Sequence, residues 1–331
     1  MDKNTLALYD KDEEYVTNLM SYLVDAKSMP IEVQAFTDKQ CLTGYIKENP
    51  VDILLVSEPE LDNDIEESNR AEMMILAEEE GHYEVNGHKA ICKYQSCENI
   101  MREVMDYYSE QPLPLHRPID GRMTELIGIY SPVSRCFKTS FAVALGEVLS
   151  QNNKTLYVNL EEYSGFHQIL GQNYMMDLSD LLFYVNQKKR NFPCKLASVV
   201  QNIGGLDFIP PVISPLDLKS VDRDIWIEFF NELLSCDYDK IIIDFGESLN
   251  AIMDIMRECS RVYVPTRNDS VSQAKVEQFE ALLRIMDSEE ILKKLRKLEI
   301  PSFEDVNGRL ENLGDGELGR YALATYMRNE E

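Results

Sequence analysis

The chain lacks any uninterrupted apolar run approaching the roughly 20 residues that span a bilayer, and its start, Met1-Asp2-Lys3-Asn4, lacks the basic and apolar stretches of a secretory signal. A cytoplasmic protein with no transmembrane segment is expected. The seven cysteines (Cys41, Cys92, Cys97, Cys136, Cys194, Cys236 and Cys259) lack C-x-x-C spacing and are odd in number, so neither a disulfide framework nor a zinc site is indicated. Small buried hydrophobes are the expected role of most of them. Positive charge is also short. Thirty-three Lys and Arg stand against 58 Asp and Glu, a formal net charge of -25, whereas affinity for nucleic acid or an anionic membrane rests largely on Lys and Arg contacts with phosphates. Nucleic acid is therefore excluded as a partner. The one basic cluster, Lys293-Lys294-Leu295-Arg296-Lys297, follows acidic Asp287-Ser288-Glu289-Glu290 at helical spacing and reads as a solvated helix face with charge pairs.

What is present is ample apolar content, 44% of 331 residues, enough for two cores of ordinary size. Short apolar runs alternate with helical patterns, the signature of parallel sheets with crossover helices. In the first part the predicted strands are Leu6 to Tyr9, Ile31 to Ala35, Ile53 to Val56, Met73 to Leu76 and Ala90 to Cys92. Predicted helices cover Asp12 to Val24, Thr37 to Glu48 and Cys97 to Tyr108. Five such units in about 110 residues match a flavodoxin-like domain. Gln111-Pro112-Leu113-Pro114-Leu115-His116-Arg117-Pro118 cannot continue a helix and reads as a linker within residues 111–122.

Beyond the linker, in residues 123–331, the alternation resumes. Strands are predicted at Thr124 to Tyr130, Thr155 to Asn159, Leu206 to Ile209, Lys240 to Asp244 and Arg261 to Val264. Helices are predicted near Thr139 to Ser150, Leu178 to Asn186, Arg223 to Leu234, Glu247 to Arg257 and Ser272 to Met286. The fold class is thus α/β, with two doubly wound parallel-sheet domains. Tyr321 to Met327 reads as a packed or frayed helix; followed by Glu330-Glu331, it is too short for a membrane anchor.

The stretch from Ile127 to Ser140 reads as a strand entering a tight loop that ends in Lys138-Thr139-Ser140. Such a loop aims backbone N–H groups at phosphate oxygens, sets a Lys beside them and offers a hydroxyl to Mg²⁺. Ser134, Arg135, Cys136, Phe137, Lys138, Thr139 and Ser140 are the candidate nucleotide-binding residues. A full G-x-x-x-x-G-K-[ST] loop would have glycine at Pro132 and Phe137. Pro132 has no N–H to offer, and a left-handed backbone at Phe137 costs roughly 1–2 kcal/mol. Arg135 could restore charge through its guanidinium or be a surface residue. Lys138-Thr139-Ser140 could also be an ordinary helix start with Ser/Thr capping.

The amino-terminal pattern resembles the receiver domain of bacterial response regulators over roughly 110 residues. The resemblance places a pseudo-receiver pocket at Asp10 and Asp12 after the first strand, Ser57 at the phosphoacceptor position and Lys93 after the fifth strand. A serine is a poor substitute for a carboxylate as metal ligand and nucleophile, so phosphorelay chemistry is not expected and a docking or dimerisation role is. For Asp10 and Asp12, helix capping and pairing with the helix dipole before Glu13 and Glu14 is the preferred reading over metal binding.

From about Met123 onward the chain resembles the MinD/ParA family of P-loop ATPases. Three stations carry the likeness: the altered loop; Leu156-Tyr157-Val158-Asn159-Leu160-Glu161; and the Walker B strand Asp239-Lys240-Ile241-Ile242-Ile243-Asp244-Phe245-Gly246. The resemblance implies ATP with Mg²⁺, metal contacts from Thr139 and, through water, Asp244, and Glu161 as the residue that orients the attacking water. The family's signature Lys falls on Val133, and Asn159 and Glu161 replace its Asp pair.

A receiver-like domain followed by a MinD/ParA-like domain is similar to the TadZ/CpaE proteins of tight-adherence (type IVc) pilus assembly. That likeness implies a homodimer acting as a localisation and assembly scaffold, at a cell pole or held at the membrane through partners, with pilus or secretion proteins or a polar marker as partners and a degenerate nucleotide site. A weak P-loop ATPase is the most its loop would support. The competing expectation is an ATP-hydrolysing dimeric switch that positions a cellular cargo.

Overall fold

The structure, a computed structural model, describes residues 4–25, 31–68, 71–79, 81, 83–109, 124–189, 191–247, 249–303 and 310–328. The linker expected at residues 111–122 lies outside them. The chain divides into two compact units, Met1–Asp120 with Lys189–Ser198, and Gly121–Lys188 with Val199–Glu331.

The first unit runs β1 (Asn4–Tyr9), α1 (Glu13–Asp25), β2 (Ile31–Phe36), α2 (Lys39–Glu48), β3 (Ile53–Ser57), α3 (Asn63–Ser68), β4 (Glu72–Ala77), β5 (Glu84–Val85), β6 (His88–Cys92) and α4 (Cys97–Ser109). Its sheet has the order β2-β1-β3-β4-β6-β5 and is parallel except for β5, which pairs antiparallel with β6. Alternate residues of each strand point to opposite faces, and both faces are covered. Leu6, Leu8, Ile53, Leu55, Met74 and Leu76 join α1 and α4 through Leu19, Ile100 and Val104. Ala7, Tyr9, Leu54, Val56, Met73 and Ile75 join Leu42 of α2 and Ile65 of α3. Apolar runs without alternation therefore mark strands buried on both sides. The expected five strands are all present. The crossover from β4 to β6, however, shows no helix among the described residues and carries the two-residue strand β5 instead.

The second unit contains β7 (Glu125–Ile129), α5 (Lys138–Ser150), β8 (Thr155–Leu160), α6 (Phe166–Leu170) and α7 (Leu178–Asn186). It continues, after α8 (Phe192–Val199), with β9 (Gln201–Ile203), β10 (Leu206–Ile209), α9 (Pro215–Lys219), α10 (Arg223–Leu234), β11 (Lys240–Phe245) and α11 (Ile252–Glu258). The last elements are β12 (Arg261–Thr266), α12 (Ser270–Ile285), α13 (Glu289–Lys294), β13 (Leu295–Glu299) and α14 (Glu317–Met327). All of α8 but its final residue groups with the first unit, where Cys194 and Ala197 enter the core beside α4 and Lys195 Nζ lies 2.5 Å from Asp106 Oδ1.

The second sheet has the order β13-β12-β7-β11-β8-β10-β9, parallel but for β9. α5 is buried from Phe141 to Ser150 and packs against the sheet. Gly314 comes so close to α5 that an added Cβ would lie 2.8 Å from Cβ of Glu147. The buried Glu147 carboxylate accepts the N–H groups of Asn312 (3.0 Å) and Gly314 (2.6 Å), tying the segment before α14 to this helix. The expected helix at Tyr321 to Met327 is the body of α14, with Tyr326 in the core. One expectation is corrected. Lys293 and Lys294 end α13, but Leu295, Arg296 and Lys297 form the edge strand β13, so the basic cluster is not one helix face. Edge strands tolerate outward charge because one side of the strand faces solvent.

Candidate functional site

Register brings the three sequence stations together. In the parallel ladder Asp244 of β11 stands level with Ile129 of β7 on one side and Asn159 of β8 on the other. The loop after β7, the Walker B carboxylate and the Asn159-Leu160-Glu161 segment therefore meet at the carboxyl edge of three adjacent strands, where open α/β sheets bind ligands.

The loop keeps the backbone shape that glycine would make easy, without glycine. Arg135 has φ 56° and Phe137 φ 60°, both left-handed, each costing an L-residue roughly 1–2 kcal/mol. Interactions within the loop and its surroundings hold it. Ser131 Oγ donates to the Pro265 carbonyl (2.5 Å) and accepts from Val133 N (3.0 Å), while Cys136 Sγ lies 3.0 Å from the Val133 carbonyl. Phe137 packs against the core and its carbonyl accepts the first bond of α5, from Phe141 N at 2.9 Å. Phe137 is the cap residue and makes no side-chain cap bond, so Ser/Thr capping does not explain Lys138-Thr139-Ser140. By helix geometry the N–H groups at the start of α5 have no partner within the helix. Val133, where the family's signature Lys falls, is buried.

Lys138 reaches a carboxylate on either side. Its Nζ is 2.7 Å from Asp244 Oδ1 and 2.8 Å from Glu161 Oε1, and it also donates to the Phe245 carbonyl. Asp244 Oδ1 meets the ammonium as an ion pair without an aligned hydrogen bond. Asp244 Oδ2 accepts from the Tyr157 hydroxyl at 3.1 Å, and that hydroxyl accepts from Asn159 Nδ2 at 2.8 Å. Asn159 Oδ1 in turn accepts from Glu161 N at 2.9 Å, and Thr139 Oγ1 donates to Glu161 Oε2 at 3.4 Å. The side chains of Asp244, Lys138 and Glu161 are 0%, 11% and 30% exposed. Burial alone would lower the Lys138 ammonium; the Asp244 and Glu161 charges outweigh it and hold its pKa above the usual lysine range. Glu161 is pushed up by burial and by Asp244, against the pull of Lys138. Burial, reinforced by Asp244, keeps the Tyr157 phenol protonated far above its ordinary range.

This arrangement bears on the groups implied by the resemblance. The strand-to-helix loop, the N–H groups at the start of α5 and the Lys138 ammonium suit an anionic phosphate. A metal-bound water at Asp244 does not fit the observed arrangement, because Lys138 and Tyr157 occupy its two oxygens. Among the described residues no group of three His, Cys, Asp or Glu is placed to hold a metal. Tyr157 is the site residue that motif reading missed. It lies two residues before Asn159, hence on the same strand face, and only the pairing of β8 with β11 sets that face against Asp244.

The pseudo-receiver residues converge in part. Asp10, Ser57 and Lys93 stand at the carboxyl ends of β1, β3 and β6, all three buried. Lys93 Nζ lies 2.5 Å from Asp10 Oδ2, the side chains 7% and 4% exposed, and 4.7 Å from the centre of the Tyr15 ring. Asp10 Oδ1 accepts from Asp12 N at 2.9 Å. Asp12 caps α1, accepting from Glu14 N and Tyr15 N at 3.1 Å each.

Fold and site thus define a protein of two doubly wound α/β units, the second bearing a phosphate-loop-like turn closed on its own carboxylates. Residues 2–109 match the family model of the TadZ-like receiver domain. Among solved structures, a putative plasmid partition protein from Borrelia burgdorferi B31, bound to AMPPNP, is similar at 19% identity over 62% of this chain and 99% of that one, with TM-score 0.48. A ParA family ATPase from Chlorobium tepidum TLS is similar at 18% identity over 60% and 99%, TM-score 0.47. The MinC:MinD cell division protein complex of Aquifex aeolicus gives 18% over 62% and 96%, TM-score 0.46. No curated protein matches the chain. No helix among the described residues is long and apolar enough to cross a membrane.

Proposed function

We propose that the chain is a TadZ/CpaE-like localisation and assembly scaffold acting in tight-adherence (type IVc) pilus assembly or secretion, with a degenerate MinD/ParA-like nucleotide site. The observation that carries this reading is the TadZ-like receiver domain at residues 2–109 followed by a unit whose phosphate-loop Lys is held by internal carboxylates. Ser57 leaves the receiver pocket without an acceptor carboxylate, so that unit works by docking, through self-association or through pilus, secretion or polar-marker proteins. The site binds ATP weakly and turns it over poorly, because hydrolysis needs a complete preorganised set and binding only part of one. In this scheme the protein acts as a homodimer on the cytoplasmic side, at a cell pole or assembly site.

The test is localisation of a fluorescently tagged full chain against one lacking residues 1–110. Loss of focal localisation on removing residues 1–110, in a truncated chain shown by circular dichroism to remain folded, supports a docking module. Equal localisation and equal self-association of the two forms would refute that role. The second reading, an ATP-hydrolysing dimeric switch, is favoured by Lys138, Thr139 and Asp244 lying in one cluster with Glu161. Turnover with Mg²⁺ that is abolished by Lys138→Ala would establish it.

A further inference from the structure

Glu161 touches the two groups of the loop best suited to phosphate. One of its oxygens faces the Lys138 ammonium at 2.8 Å and the other accepts the Thr139 hydroxyl at 3.4 Å. A carboxylate so placed spans an ammonium and a hydroxyl as two oxygens of a phosphoryl group would. We propose that Glu161 is an internal stand-in for the terminal phosphate of a nucleoside triphosphate, which must displace it to bind; the inference deepens the nucleotide-site reading above and rests on it.

Three features assign this part to Glu161 rather than to Asp244. Asp244 is sealed, with its second oxygen held by Tyr157, whereas the Glu161 side chain is nearly a third exposed and has solvent to swing into. Glu161 follows the last residue of β8, so its side chain can turn without disturbing the ladder. Its backbone is meanwhile fixed by the bond from Glu161 N to Asn159 Oδ1, so displacement requires only rotation of the side chain. When Glu161 leaves, Asp244 still neutralises Lys138 on one side while the ammonium turns its remaining protons to the incoming oxyanion. The longer arm of Glu, compared with the Asp of the related pattern, is what lets one carboxylate span both Lys138 and Thr139. Glu161 is accordingly a specificity-setting residue for the empty state, opposing anions that cannot outcompete a local carboxylate.

The experiment is calorimetric titration of ATP into the full chain, wild type beside Glu161→Gln, with the ligand-free melting temperature of each as a second readout. Removing the competing charge is expected to tighten ATP binding about tenfold, the equivalent of one charge-assisted contact. It is also expected to lower the ligand-free melting temperature, because Lys138 loses a partner. Should Glu161→Gln fail to fold, Glu161→Asp, which keeps the charge but cannot span both groups, is expected to tighten binding severalfold. Measurable wild-type binding that is unchanged or weakened in the variant overturns the stand-in role alone. If neither form binds ATP, the nucleotide-site reading fails and this inference fails with it.

Discussion

Both units place a lysine and an aspartate at the carboxyl edge of a parallel sheet, and in both the two side chains pair, yet the pairs are built for different ends. In the first unit Lys93 and Asp10 are sealed, both under a tenth exposed, with Tyr15 over the ammonium. In the second, Lys138 and Asp244 have a third member, Glu161, with a route to solvent. A sealed pair is an element of the core: breaking it leaves a buried charge, and nothing can take its place without opening the fold. A pair with a removable partner can exchange that partner for a ligand anion. One pair is closed into the core; the other keeps a partner that a ligand anion could replace.

The largest effect that tests this contrast is on stability. Lys93→Met strands Asp10 in the core and is expected to cost about 3 kcal/mol or more in chemical denaturation of the full chain. Glu161→Gln is expected to cost about 1–2 kcal/mol, since its side chain is 30% exposed and Lys138 keeps Asp244 as a partner. Equal losses at the two sites would break the distinction. A smaller effect concerns the loop backbone. Arg135 is exposed and left-handed, so Arg135→Gly removes roughly 1–2 kcal/mol of conformational cost against a chain-entropy loss of about 0.5–1 kcal/mol. A net gain of about 0.5–1 kcal/mol is expected, measured in the same way; a loss would mean that the side chain makes contacts that outweigh the strain.

The smallest expected effect is a slope. Glu147 anchors the segment before α14, and burial pushes its carboxyl up despite the N–H groups of Gly314 and Asn312. A folded-state pKa above the unfolded one means that the native state holds this proton more tightly. Its contribution is fully present below the ordinary glutamate range and declines as pH rises through the raised value. Glu147→Gln, which does not titrate, is expected to flatten that part of the stability-against-pH curve. An unchanged slope would show that other groups set it.

Much of the fold was legible because strands covered on both faces read as unbroken apolar runs, such as Ile53-Leu54-Leu55-Val56 and Ile241-Ile242-Ile243. Short elements escaped: β5 and β9 have two and three residues, too few for a period to show. Arg296 and Lys297 misled because charge at helical spacing ran past the cap of α13 into an edge strand. At the site, Lys138, Thr139, Glu161 and Asp244 were found by motif order. Tyr157 was not, since its role depends on the pairing of β8 with β11, a long-range fact absent from local sequence. The motif likewise marked Phe137 as an obstacle, whereas the fold holds it in the left-handed conformation that glycine would take.

The most direct test of the central claim, that the second unit retains a phosphate-binding loop restrained by its own carboxylates, is equilibrium binding of ATP to the full chain and to Lys138→Ala. Weak binding by the wild type is expected, and a further loss of about tenfold or more in the variant, the size of one charge-assisted contact to phosphate, with both forms folded. The same affinity in both proteins would contradict the claim.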